Sequence, residues 1–181
     1  MADLSWNYEL KPGERANPVV HYEYVNMDGV FYPSDEDLLR VFKTDGFKLQ
    51  TWGRTVDKHG KVVREMDPHW IAVRKGTPLH NDKAYPRYTH HLKVRVDEGI
   101  YARGLDKTEI KLERGLFYIL DTHSPHQVFH KGREGVWNVS CSVDSKEPLE
   151  PSVAIKMCLD YIATRPFIPE WNPVTGFNVQ R

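Results

Sequence analysis

The sequence predicts a mainly β protein, an antiparallel jelly roll or sandwich with a few flanking helices, built as one domain. Three observations carry that reading. Runs rich in β-branched and aromatic residues recur at Trp70–Val73, Tyr88–Val96, Glu109–Leu112, Leu116–Leu120, Gln127–His130 and Trp137–Val143. Gly76, Gly99, Gly104, Gly115, Gly132 and Gly135 punctuate them at the close turn spacing of all-β folds. A chain of 181 residues, 40% of them hydrophobic, can bury one core without a disulfide or a structural metal.

Taken in order, residues 1–66 form an arm, a helix and a hairpin. Pro12, Pro18 and Pro33 keep the arm irregular, with one strand near Val19–Val25. Ser34 with Asp37 three residues on opens a short helix through Leu38, Leu39, Val41 and Phe42, which Gly46 stops. Phe47–Val56 and Lys61–Met66 flank Lys58-His59-Gly60 as a hairpin. Residues 67–145 are the jelly-roll core. In 146–181, Pro151 and Ser152 open a helix over Val153–Ala163 that packs on the sheet, and a tail rich in proline and aromatics from Pro166 lies along the surface.

Composition narrows the function. The 25 basic and 25 acidic residues cancel, which argues against a nucleic-acid backbone or an anionic membrane as partner. Cys141 and Cys158 fall in apolar segments and read as free thiols, suited to a reducing cytoplasm. The first residues lack the basic and apolar regions of a secretory signal, and no apolar stretch is long enough to span a bilayer. A soluble cytoplasmic protein is expected; its oligomeric state is left open.

Chemistry concentrates at His80-Asn81-Asp82, at the end of one apolar run, and at His126, which opens a strand far downstream. Two imidazoles and a carboxylate can hold one face of a divalent metal such as Fe(II) and leave three positions open. His80 and Asp82 are two apart, so on an extended strand end they point to one face. His123 is a rival distal ligand, but it lies inside the turn Asp121-Thr122-His123-Ser124-Pro125, whereas His126 begins an alternating strand. Against the metal stands the plainer reading that these are two of nine histidines at the surface. Asp121 and Thr122 are candidates to support the distal histidine, or simple turn residues.

From Gly76 to Asp144 the chain resembles the Fe(II)/2-oxoglutarate-dependent oxygenases, in particular the aspartyl/asparaginyl β-hydroxylase-like branch. The resemblance rests on Lys75-Gly76-Thr77-Pro78-Leu79-His80-Asn81-Asp82, on Arg87-Tyr88-Thr89-His90-His91-Leu92, on Gly115–Asp121 running into His126-Gln127-Val128, and on the strand ending Val143-Asp144. It implies a double-stranded β-helix, iron held by His80, Asp82 and His126, and His91 beside the co-substrate. One departure stands out. Counting back from Asp144 and Ser140, Asn138 occupies the place where family members carry the arginine that grips the distal carboxylate of 2-oxoglutarate. Asparagine brings no charge and no bidentate fork, so either the anchor has moved or the co-substrate is not 2-oxoglutarate.

A displaced anchor is available on Tyr88–Val96. Arg87, Thr89, His91, Lys93 and Arg95 share parity there, so if His91 faces the metal, Lys93 and Arg95 should too. Arg95 is the preferred anchor, with Arg87 and Lys93 behind it. The competing reading makes these ordinary solvent-facing charges on a half-buried strand. Ser140 and Ser142 show no nucleophile elbow, and Cys141 reads as core.

The resemblance implies a dioxygenase using Fe(II), 2-oxoglutarate and O2, with ascorbate as reductant in vitro. It hydroxylates an unactivated C–H bond, on an amino-acid side chain in a small molecule, peptide or protein. With Asp82 filling the third protein position, no vacancy remains for a halide, so hydroxylation is preferred to halogenation. The rivals are a non-catalytic jelly-roll binding module and a zinc site with hydrolase-like chemistry.

Overall fold

A computed structural model describes residues 3–41, 50–52, 55–56, 67–164 and 179–180. In chain order the elements are β1 (Val19–Tyr24), α1 (Asp35–Val41), β2 (Gln50–Trp52), β3 (Thr55–Val56), β4 (His69–Val73), β5 (Tyr88–Val96), β6 (Ile100–Gly104), β7 (Glu109–Lys111), β8 (Leu116–Asp121), β9 (His126–His130), β10 (Asn138–Ser145), α2 (Pro151–Thr164) and β11 (Val179–Gln180). The hairpin expected around Lys58-His59-Gly60 and the tail from Pro166 lie outside the described residues.

Strand pairing explains how a chain of short strands closes. The larger sheet runs β1-β8-β5-β10-β4-β2, and a smaller one runs β7-β6-β9. An isolated antiparallel bridge between His80 and His126 extends the smaller sheet by one strand's width. From β4 onward the chain therefore alternates between layers: β4 in the large sheet, His80 in the small, β5 large, β6 and β7 small, β8 large, β9 small, β10 large. That winding is a double-stranded β-helix, the jelly roll anticipated from the sequence, with helices flanking it.

Each sheet face has its own core. The interior between the sheets holds Leu116, Tyr118 and Leu120 of β8 against Ile100 and Ala102 of β6. The outer face of the large sheet holds Phe117, Ile119, Leu92, Val94, Val139, Cys141 and Val143, covered by Leu38 of α1 and by Ala154, Cys158, Tyr161 and Ile162 of α2. Both cysteines are free and buried here. The α1 start is the expected capping box, in which Asp37 N donates to Ser34 Oγ at 3.1 Å and Ser34 N to Asp37 Oδ2 at 3.0 Å. Among the described residues no helix is long and apolar enough to cross a membrane.

Candidate metal centre

His80 and His126 face each other across the bridge, with paired backbone bonds of 3.0 Å from His80 N and 2.8 Å from His126 N. Cross-strand partners share a face, and Val128, two residues along β9 from His126, packs into the interior core. Both imidazoles therefore point between the sheets. Asp82 is brought alongside by its N–H, which donates to Thr122 O at 2.8 Å.

The donor atoms converge. Asp82 Oδ2 lies 3.4 Å from His80 Nε2 and 3.3 Å from His126 Nε2. One ligand atom from each of the three residues falls within 4.8 Å of the others. Each histidine spends its other nitrogen on a backbone carbonyl two residues upstream: His80 Nδ1 donates to Pro78 O at 2.7 Å, and His126 Nδ1 to Ser124 O at 2.8 Å. A carbonyl can only accept, so Nδ1 carries the proton and the Nε2 lone pair is turned toward Asp82. Three electron-pair donors aimed at one point repel unless a cation lies among them. Protons can serve: burial alone would raise Asp82, but hydrogen bonds and charge from His126 and His80 outweigh it and hold the carboxyl well below its usual range. Burial likewise opposes a charged His80, yet its bonds to Asp82 and Pro78 O raise it. A divalent ion would replace those protons on the same lone pairs, so the residues fit a metal.

His123, the rival, turns away: its Nε2 donates to Tyr85 O at 2.8 Å. Asp121, wholly buried, takes a forked grip from Arg87, Nε at 3.1 Å and an Nη at 3.0 Å. It also accepts from Ser124 Oγ at 2.8 Å. Ser124 is the residue whose carbonyl accepts from His126 Nδ1, so Asp121 is linked to His126 only through this serine.

The co-substrate candidates separate. His91 lies opposite Tyr118 on β8 and opposite Ser142 on β10. Its Nδ1 sits 2.7 Å from Ser142 Oγ, and its ring is 5.1 Å from that of Tyr118, so it faces the interior. Lys93 faces the same way, opposite Ser140 and 5.5 Å over the Tyr118 ring. It is 4% exposed, and burial pushes its ammonium down to about 7. Among the described residues no carboxylate pairs with it. Ser140 and Asn138 follow on β10, also buried, and among the described residues Asn138 Oδ1 has no hydrogen-bond partner.

Arg95 departs from expectation. The register of β5 against β10 slips between Val139 and Ser140: Lys93 pairs with Ser140, but Arg95 pairs with Val139. This bulge leaves Val94 extra and reverses the parity beyond it. Val139 belongs to the outer core, and Arg95 follows it outward, to Asp35 of α1 at 2.6 Å, Asp97 at 3.2 Å and Pro33 O at 3.1 Å. Arg87 is also committed, to Asp121. Of the three basic candidates, Lys93 alone shares the interior face with His91. The reading of these charges as solvent-facing fails for Lys93 too, because its side chain is buried.

No family model matches the chain, and no curated protein matches it. Among solved structures it is similar to a cupin 2 domain-containing protein from Halorhodospira halophila, at 18% identity and a TM-score of 0.40, covering 80% of this chain and 95% of that one. The jelly roll rests on strand order and not on this likeness. Inside it sits a His-Asp-His group that could hold a metal ion.

Proposed function

We propose that the protein is an Fe(II)- and 2-oxoglutarate-dependent dioxygenase that hydroxylates an unactivated C–H bond, on an amino-acid side chain free or within a peptide. The observation that carries this reading is the convergence of His80 Nε2, His126 Nε2 and the Asp82 carboxylate, with both Nδ1 protons already committed to carbonyls. A facial set of two histidines and one carboxylate suits Fe(II) and leaves room for a chelating co-substrate. Iron bound there would supply reduction of O2 coupled to decarboxylation of 2-oxoglutarate to succinate and CO2. The chain's own part is to bind and exclude. His91 and Ser142 line the interior from the large sheet, and Lys93 with Ser140 lies one strand-repeat further along. Lys93 then takes the role first given to Arg95. A buried cation without a carboxylate is costly by itself, and the distal carboxylate of the co-substrate would supply the missing charge.

The experiment is an anaerobic titration with Fe(II) and then 2-oxoglutarate, following the weak visible band of the chelate, with succinate release measured in air with ascorbate. A band and metal-dependent succinate support the reading. Metal binding with neither would favour a binding module or a zinc site.

A further inference from the structure

Every segment that carries a candidate ligand is tied to one stretch of chain, residues 3–18. Leu4 N donates to Leu79 O at 2.7 Å, one residue before His80. The Glu14 carboxylate, its side chain 4% exposed, holds the Lys83 ammonium at 2.8 Å, one residue after Asp82. Glu14 is fixed in turn by Tyr8 OH at 2.8 Å and Lys11 N at 2.6 Å. Arg15 N donates to Ser124 Oγ at 2.8 Å, and Ser124 is the residue whose carbonyl orients His126. The pair behind Ser124 is gripped as well: Asp121 N donates to Pro18 O at 2.8 Å, and Arg87 to Gly13 O at 2.6 Å.

A glycine supplies the independent observation. Gly104 is the strand partner of His126 in the small sheet. A Cβ built on it would lie 2.2 Å from Pro18 Cδ and 2.7 Å from Ala16 O, with no positive φ to explain the residue. The arm itself fills that space, so close approach is what demands glycine there. An extended surface strap would have no need to press against the strand opposite a ligand.

We infer that residues 3–18 are a positioning element of the metal centre, with Glu14 its central contact, setting the spread of the three ligand atoms. This rests on the metal reading above. A lone carboxylate–lysine pair on a surface is worth little, but here a sheltered carboxylate and four hydrogen bonds, each made by a backbone group of the arm, converge on or beside the segments of all three ligands. Groups that orient metal ligands typically change metal affinity ~10–100-fold when removed.

The test uses Co(II) alone as probe on the full chain, reading its Kd and the visible d–d bands that report ligand geometry. Glu14→Ala removes the central contact, and Gly104→Ala displaces the arm by steric collision while leaving each ligand segment's own residues intact. Val143→Ala, in the outer core, is the control for general loss of stability. Both arm variants should raise the Co(II) Kd by ~10-fold or more and shift the bands. Glu14→Gln, which keeps one acceptor oxygen, should fall between Glu14→Ala and wild type. Val143→Ala should lower Tm and leave Kd and bands alone. If Gly104→Ala does not fold, the Glu14 pair decides. Wild-type Kd and bands in Glu14→Ala, or equal losses in Val143→Ala, would overturn the inference while the metal reading stands. A wild-type protein that binds no Co(II) would overturn both.

Discussion

Strands β5 and β10 have two faces, both out of water, and they are built from opposite chemistry. Outward, Leu92, Val94, Val139, Cys141 and Val143 form an apolar core under the helices. Inward, Lys93, Asn138, Ser140, Ser142 and Asp144 are each at most 4% exposed. On an open sheet, alternating polar and apolar residues mark one wet face and one dry one. Here the polar face is buried as well. Buried polar groups are retained at a cost in stability, and a row of them along one strand of an interior is what a polar ligand would need. The two faces should therefore answer differently to substitution, the outer through stability and the inner through binding.

The largest effect should come from the outer face. Leu92 is fully buried in the outer core, paired with Phe117 on β8, so Leu92→Ala should cost ~2–5 kcal/mol through lost transfer energy and a residual cavity. Denaturant unfolding measures this. Co-substrate affinity in the fraction that stays folded should be unchanged. A stability loss under ~1 kcal/mol would mean that the outer face is loosely packed around Leu92.

Lys93, the next residue, should do the reverse. Its folded pKa lies near 7, below the ordinary lysine value of ~10.4. Between those values the unfolded chain holds more protons than the folded one, so stability rises with pH across that window. Lys93→Met removes the penalty. It should raise Tm by roughly 4 °C or more at pH 7, and the gain should fade as pH climbs toward the ordinary value. The same variant should weaken 2-oxoglutarate binding ~10-fold or more, since a charge pair in a buried site typically contributes ~2–5 kcal/mol. In the wild type that binding should weaken as pH rises above about 7, because the ammonium must be protonated to pair; in the variant the slope should vanish. Unaltered binding in Lys93→Met, with Tm raised, would make Lys93 a structural oddity and not an anchor.

Much of this was legible in the chain. Strand-length apolar runs between glycines carry the jelly roll, and Ser34 with Asp37 announces α1. His80, Asp82 and His126 come together because the strands that hold them wind into one interior, and strand order can be anticipated from spacing. Three things were not legible. A bulge adds one residue without any mark such as glycine, and Val94 in a run of alternating valines hides it. The support of His126 by Ser124 passes through a backbone carbonyl, which no side-chain pattern reveals. The grip of Glu14 on Lys83 joins segments far apart, so only the folded chain displays it. A signal was present for the inner face: Asn138, Ser140, Ser142 and Asp144 alternate perfectly, and asking what could cover them would have pointed to the interior.

The smallest effect should be at Arg95, and it tests the bulge directly. Strand parity alone places Arg95 beside Lys93, on the ligand face. The observed register places it outside, where its guanidinium ties β5 to Asp35 at the start of α1 and to Asp97. Asp97 in turn accepts from Trp137 N at 2.9 Å. Asp35 is largely exposed, which keeps its pair with Arg95 weak. Asp97 is more sheltered, and Pro33 O accepts a further bond. Arg95→Met should accordingly lower stability by only ~0.5–1.5 kcal/mol, the net value of a hydrogen bond or two, and leave 2-oxoglutarate affinity within ~2-fold of wild type, a change worth about 0.4 kcal/mol. The two outcomes are read in one preparation, by denaturant melt and by co-substrate titration. A rise in Kd matching that of Lys93→Met would put Arg95 back on the inner face and mean that β5 has no bulge at Val94.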